Sequence, residues 1–160
     1  MRSALACLVM VAACGPSTME VKTAKSATYN AEPGAIFELA QQAAAEDYKL
    51  AAVNGAGLEL LTAPRFYSGT GDLESPGAGG VINMQAGTVQ VSFIVQVVPT
   101  AEHAVTVHVT PKTFQLVAGS PKPRELAPDD PNLPPFVLGR ADALALRIYQ
   151  LAQRYTAAPR

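Results

Sequence analysis

Two stretches of strict two-residue alternation constrain this chain more than any other feature. Val89, Val91, Phe93, Val95 and Val97 alternate with Gln90, Ser92, Ile94 and Gln96. Val105, Val107 and Val109 then alternate with Thr106, His108 and Thr110. Successive side chains of a strand point to opposite faces, so each ladder presents one apolar face. Pro99-Thr100-Ala101-Glu102-His103 turns the first ladder into the second. The pattern predicts an antiparallel hairpin, packed on one face and mostly polar on the other. Such a sheet needs a covering layer, which the rest of the chain must supply.

Two helices answer that need. Pro33 offers a first helical position, and Ile36, Phe37, Ala40, Ala43 and Ala44 make one apolar face through Glu46. Near the C-terminus, Val137, Ala141, Leu144, Ala145, Ile148, Leu151, Ala152 and Tyr155 fall on one face of a helix over roughly Phe136 to Tyr155. Between them lies a second hairpin. Tyr48, Leu50 and Ala52 read as a half-buried strand, Asn54-Gly55 turns it, and Leu58, Leu60 and Thr62 return, extending towards Tyr67. Ala27-Thr28-Tyr29 is a candidate short strand. Ser68 to Gly80 is a glycine-rich loop and Gly119 to Pro135 a proline-rich one. The order helix, hairpin, hairpin, helix predicts an α+β fold. Its form is a two-layer sandwich with an antiparallel sheet of about four strands and two helices on one face, a single domain over 26–157. The element order, with Tyr48-x-Leu50 and Leu58-x-Leu60-x-Thr62 after the first helix, resembles the small α/β domains of envelope lipoproteins such as the barrel-assembly accessory lipoprotein. That resemblance implies a fold and carries over no functional residue.

The chain has 160 residues, 49% of them hydrophobic and 16% charged, with a formal net charge of −1. This apolar weight and low charge exclude disorder as the ground state. The absence of a basic excess argues against nucleic acid as a partner.

The N-terminus carries an address. Arg2 precedes an apolar stretch, Ala4 to Ala13, of the length of a signal h-region. It ends in Val11-Ala12-Ala13-Cys14-Gly15, which resembles the lipobox of bacterial lipoproteins. The resemblance implies a signal peptide over 1–13, cleavage before Cys14, and diacylglycerol on the Cys14 thiol. It also implies acylation of the freed amine, and two or three acyl chains anchor stably where one is marginal. In enterobacteria-like lipoproteins an Asp after the cysteine retains the protein in the inner membrane. Gly15 stands there, which favours the periplasmic face of the outer membrane. Residues 14–25 are expected as the lipidated N-terminus and a tether, whose eleven or so free residues would reach at most roughly 40 Å. Only Cys7 and Cys14 are present, so the mature domain is expected to hold together without disulfide or free thiol.

The candidate chemistry is sparse. His103 and His108 are five apart and point to opposite faces of a continuous strand, so a joint metal site is not expected. No G-x-S-x-G elbow surrounds Ser68 or Ser75. Gly69, Gly71, Gly77, Gly79 and Gly80 lack the lysine and Ser/Thr of a P-loop. Asp129-Asp130 between prolines reads as a solvated turn sooner than a calcium site. Glu38, Glu46 and Asp47 show no partner suited to acid/base work. Arg140, Arg147 and Arg154 recur every seven residues along one border of the apolar stripe. Their stems are expected over the core with charges in water, an anionic lipid or glycan contact being the alternative. Leu146 and Tyr149 fall opposite the centre of the stripe and are the candidate contact for an envelope partner or a second copy, with Phe136 and Leu138 extending it. No catalytic residue, metal or cofactor is expected. The leading expectation is a non-catalytic accessory or interaction module of the cell envelope. A small-ligand or lipid carrier and an enzyme with an unrecognised site stay open.

Overall fold

The computed structural model describes residues 17–75 and 84–156. The stretch expected as a signal peptide (1–13), Cys14, Gly77, Gly79 and Gly80 lie outside the described residues. The architecture is α+β: seven strands in one sheet, every pairing antiparallel, with three helices. The strands are β1 (Thr28–Asn30), β2 (Leu50–Asn54), β3 (Glu59–Thr62), β4 (Arg65–Tyr67), β5 (Val89–Ala101), β6 (Ala104–Gln115) and β7 (Arg124–Leu126). The helices are α1 (Thr18–Ser26), α2 (Pro33–Asp47) and α3 (Pro135–Ala152), the last continued by a 3-10 turn, Gln153–Tyr155.

The sheet runs β1-β6-β5-β3-β2, with β4 beside β3 on β5 and β7 beside β1 on β6. Seven strands therefore fill five lanes. Both predicted hairpins form, β2–β3 and β5–β6. The long hairpin turns more tightly than expected. Pro99 still pairs, opposite Val105, and the chain reverses at Glu102-His103, where His103 takes the left-handed region at φ 57.

The expected four strands and two helices were too few, for local reasons. The return strand after the Asn54 turn does not run unbroken to Tyr67. Leu61 pairs with Ile94 and Arg65 with Val91, so four steps on one strand face three on the other. The one extra residue makes a bulge at Ala63-Pro64, where proline cannot donate to the ladder. Thr62 repairs the break: its Oγ1 accepts from the Phe93 N–H at 2.9 Å. Strand β7 hides among prolines and forms because Leu126 buries opposite Thr113. Residues 18–25, expected as tether, are helical. Ser17 and Glu20 form a capping box, each side chain satisfying a backbone N–H of the other.

The helix layer covers the face that the alternation marked as apolar, α2 lying against β5 and α3 against β6. Ile36, Phe37, Ala40, Ala43 and Ala44 are the buried residues of α2. Val137, Ala141, Leu144, Ile148 and Ala152 are those of α3. They meet Val89, Val91, Phe93, Val95 and Val97 in one core. Each large side chain so buried contributes about 1.5–3 kcal/mol, which two full faces multiply into the main stabilising force. Among the described residues, no helix is long and apolar enough to cross a membrane.

Candidate functional site

The side of α3 that carries Leu146 and Tyr149 is not bare. Asp142, Leu146 and Tyr149 project within about 60° of one another on a helix of 100° per residue. Asp142 accepts a hydrogen bond from Lys25 at the end of α1, at 2.8 Å. Helix α1 packs against α3 and buries Ala24. Leu146 and Tyr149 are both half-buried, and Tyr149 packs against the core. Tyr149 also lies near Tyr29, whose phenol is pushed up to about 12 by burial and secondarily by Tyr149. The chain's own helix α1 thus lies against α3 and pairs with Asp142, the neighbour of Leu146 and Tyr149 on that side. Phe136 turns inward onto the Tyr67 ring, centroids 5.5 Å apart, while Leu138 remains exposed.

The other residues singled out by sequence separate into local roles. His103 sits on the exposed hairpin turn with Nδ1 2.6 Å from Glu32 Oε1. His108 is exposed in mid-strand, its Nε2 3.4 Å from Thr106 Oγ1. They do not converge. Asp130 accepts from the Asn132 backbone N–H at 2.8 Å, the Asn132 amide at 3.0 Å and Arg124 at 2.8 Å. Those contacts, the Asn132 backbone foremost, hold its carboxyl below the usual range. Asp130 therefore organises the turn after β7. Ser68 belongs to a hydrogen-bonded turn with Thr70 and Asp72, and Ser75 is exposed. The three regularly spaced arginines divide. Arg147 Nε reaches Glu46 at 2.6 Å, tying α3 to α2. Arg154 stacks on Tyr155 at 4.7 Å. Arg140 turns towards the molecule.

Arg140 leads to the densest set of functional groups, which the sequence reading missed. Its guanidinium stacks on the Tyr67 ring at 4.4 Å and donates to the Gly71 carbonyl at 3.2 Å. Arg65, from β4, stacks on the Tyr48 ring at 4.6 Å and donates to the Asp47 carbonyl at the end of α2. Tyr48 in turn meets Phe93 edge-on at 5.2 Å. The Tyr48 phenol is raised, first by burial and then by Tyr67, against the pull of Arg140 and Arg65. Tyr67 is fully buried, and its hydroxyl and Arg140 Nε have no hydrogen-bond partner among the described residues. Two guanidiniums and two phenols make a set that stacks and donates hydrogen bonds. The signal was present in Arg65-Phe66-Tyr67, but only the bulge and the α3 packing bring Arg140 to it. No protein-family model matches the chain, and a comparison with curated proteins finds no match.

Proposed function

We propose that this chain is a lipid-anchored protein of the bacterial cell envelope whose α+β domain serves as an interaction module at the membrane surface. Its anchor is diacylglycerol on Cys14, and its place is the periplasmic face of the outer membrane. The observation that carries the reading is the position of α1. The lipobox cysteine stands four Cα steps before Thr18, where the capped helix begins. Four steps reach at most roughly 14 Å, against roughly 40 Å for the tether expected from sequence. Because α1 packs on α3 and leads directly into β1, anchor and domain act as one body. A short leash suits a module that meets partners at the membrane and not at a distance. The interior between helices and sheet is filled by Ile36, Phe93, Val95, Leu144 and Ile148, all at most 2% exposed, so the carrier reading gains no support.

The test is the mass of the N-terminal peptide from protein extracted from membranes. The reading expects a peptide beginning at Cys14 and carrying a diacylglyceryl group. It also expects Cys14→Ala to leave the chain unprocessed and unlipidated. An unmodified N-terminus elsewhere would overturn the anchor.

A further inference from the structure

Among the described residues, the lane outside β6 is filled at its two ends and open in the middle. β1 pairs with Ala104–Thr106 and β7 with Thr113–Gln115. Residues 107–112 lie between. The Leu116 N–H donates to the Thr88 carbonyl at 2.9 Å, which sets the alternation of the β5–β6 ladder. By that alternation Gln96↔His108, Ile94↔Thr110 and Ser92↔Lys112 are the pairs that exchange hydrogen bonds. Val97↔Val107, Val95↔Val109 and Phe93↔Pro111 are the pairs whose backbone groups turn away from each other. On β5 this is visible directly: Val97 donates to Leu58 and Phe93 to Thr62. On β6 the same geometry turns Val107, Val109 and Pro111 towards the open lane.

The β1 register sets Ala27 opposite the Val107 N–H. The β7 register sets Pro128 opposite Pro111, and proline has no N–H to give. The Val107 carbonyl, the Val109 N–H and carbonyl, and the Pro111 carbonyl are left, and no hydrogen bond from another described residue reaches them. Val107 and Val109 are half-buried, and His108, Thr110 and Lys112 are exposed. A hollow opens on each side of this edge. One, of about 110 Å³, lies on the helix side against Ala141, Ala145 and the Lys25–Asp142 pair. The other, of about 520 Å³, lies against Ile94, Glu125 and Pro128.

We propose that this window accepts an extended peptide of about four residues as an added strand. Backbone groups in that arrangement are recognised by another backbone. From Val107 to Pro111 the edge spans about 13 Å. The peptide residue opposite Val109 exchanges both hydrogen bonds with it, and its side chain enters the small hollow, whose size selects a small one. Its neighbours face the larger hollow, between Lys112 and Glu125. The flanking strands and Pro111 keep longer strands out, which protects the edge from open-ended sheet growth. They exclude the twelve-residue β6 of a second copy for the same reason. The proposal names the partner of the interaction module; lipid on Cys14 plays no part in it or in its test, so either reading can fail alone.

The test uses the full chain in detergent and a random heptapeptide library displayed on phage, followed by amide exchange mapping with each selected peptide. In the free chain the Val109 amide should exchange at least about tenfold faster than those of His108 and Thr110, which the β5 ladder holds. Selected peptides should protect Val109. N-methylation should then cost about tenfold in affinity at every second peptide position and little between, the period-two signature of strand pairing. Val109→Pro removes the edge donor without touching a ladder bond and should abolish binding. Should that variant unfold, the N-methyl scan decides. Enrichment of no peptide, footprints elsewhere, an N-methyl pattern without period two, or protection of Val109 in the free chain would each overturn the proposal. Protection of Val109 that appears together with protection of β2 as the chain concentration rises would do so too, by assigning the window to a second copy.

Discussion

Replacing Thr62 by valine isolates the device that lets a broken strand stay in the sheet. The two side chains have nearly the same shape, so packing is conserved. What is lost is the Oγ1 acceptor that the Phe93 N–H meets at 2.9 Å. Thr62 has no exposed surface, and Phe93 is 1% exposed. Water therefore cannot replace the hydroxyl. A buried donor left unmade costs about 1–3 kcal/mol, more than the added methyl returns by burial. For a domain of this size that is a fall in Tm of roughly 2–4 °C per kcal/mol. Urea unfolding should show the loss in the midpoint with the slope unchanged. Thr62→Ser keeps the acceptor and should lose clearly less. A valine variant as stable as the parent, or more stable than the serine one, would show that the Thr62 hydroxyl is not needed by the Phe93 N–H.

Gly71 sits at φ 96, and a Cβ there would lie 2.9 Å from the Phe136 ring, which Tyr67 backs. Gly71→Ala should therefore cost about 1–3 kcal/mol in urea unfolding; an unchanged midpoint would show that Phe136 yields freely. Stability should also fall at high pH. The Tyr29 phenol, at about 12 when folded, lies above its unfolded value of about 10. Its contribution is complete below pH 10 and lost as pH rises towards 12, so Tyr29→Phe should flatten the urea midpoint measured across that window. At the acid end the sign reverses: Glu20 and Asp130 are held below the usual carboxylate range, and what they contribute is present above it and lost as pH falls through their folded values.

The parts of the fold legible in the sequence were those whose signal repeats. Five apolar residues alternating from Val89 to Val97, and five turns of stripe in α3, average out local exceptions. The parts missed were set by single residues acting at a distance. Three-residue β7 has no periodicity to read, and it exists because Leu126 finds a place beside Thr113. Ser17-x-x-Glu20 is a capping box visible in the sequence, but the expectation of a tether hid it. Leu146 and Tyr149 were placed correctly as partly exposed, yet the helix α1 beside them could not be foreseen without the Lys25–Asp142 contact. The Arg65–Tyr48 and Arg140–Tyr67 stacks join residues 17 and 73 apart in sequence, and no spacing rule links them. The open window on β6 required the registers of three strands at once.

If anchor and domain form one short-leashed body, α1 lies next to the membrane. Nitroxide labels at Met19→Cys and Val53→Cys, in the lipidated chain reconstituted in vesicles that carry a nickel-chelating lipid, measure this. Met19 is exposed in the first turn of α1, and Val53 is exposed on β2, at the opposite edge of the sheet, four lanes or about 19 Å from the lane of β1. Relaxation by the lipid should be strong at position 19 and weak at 53. Equal relaxation at the two positions would show that the domain is not held with α1 at the membrane.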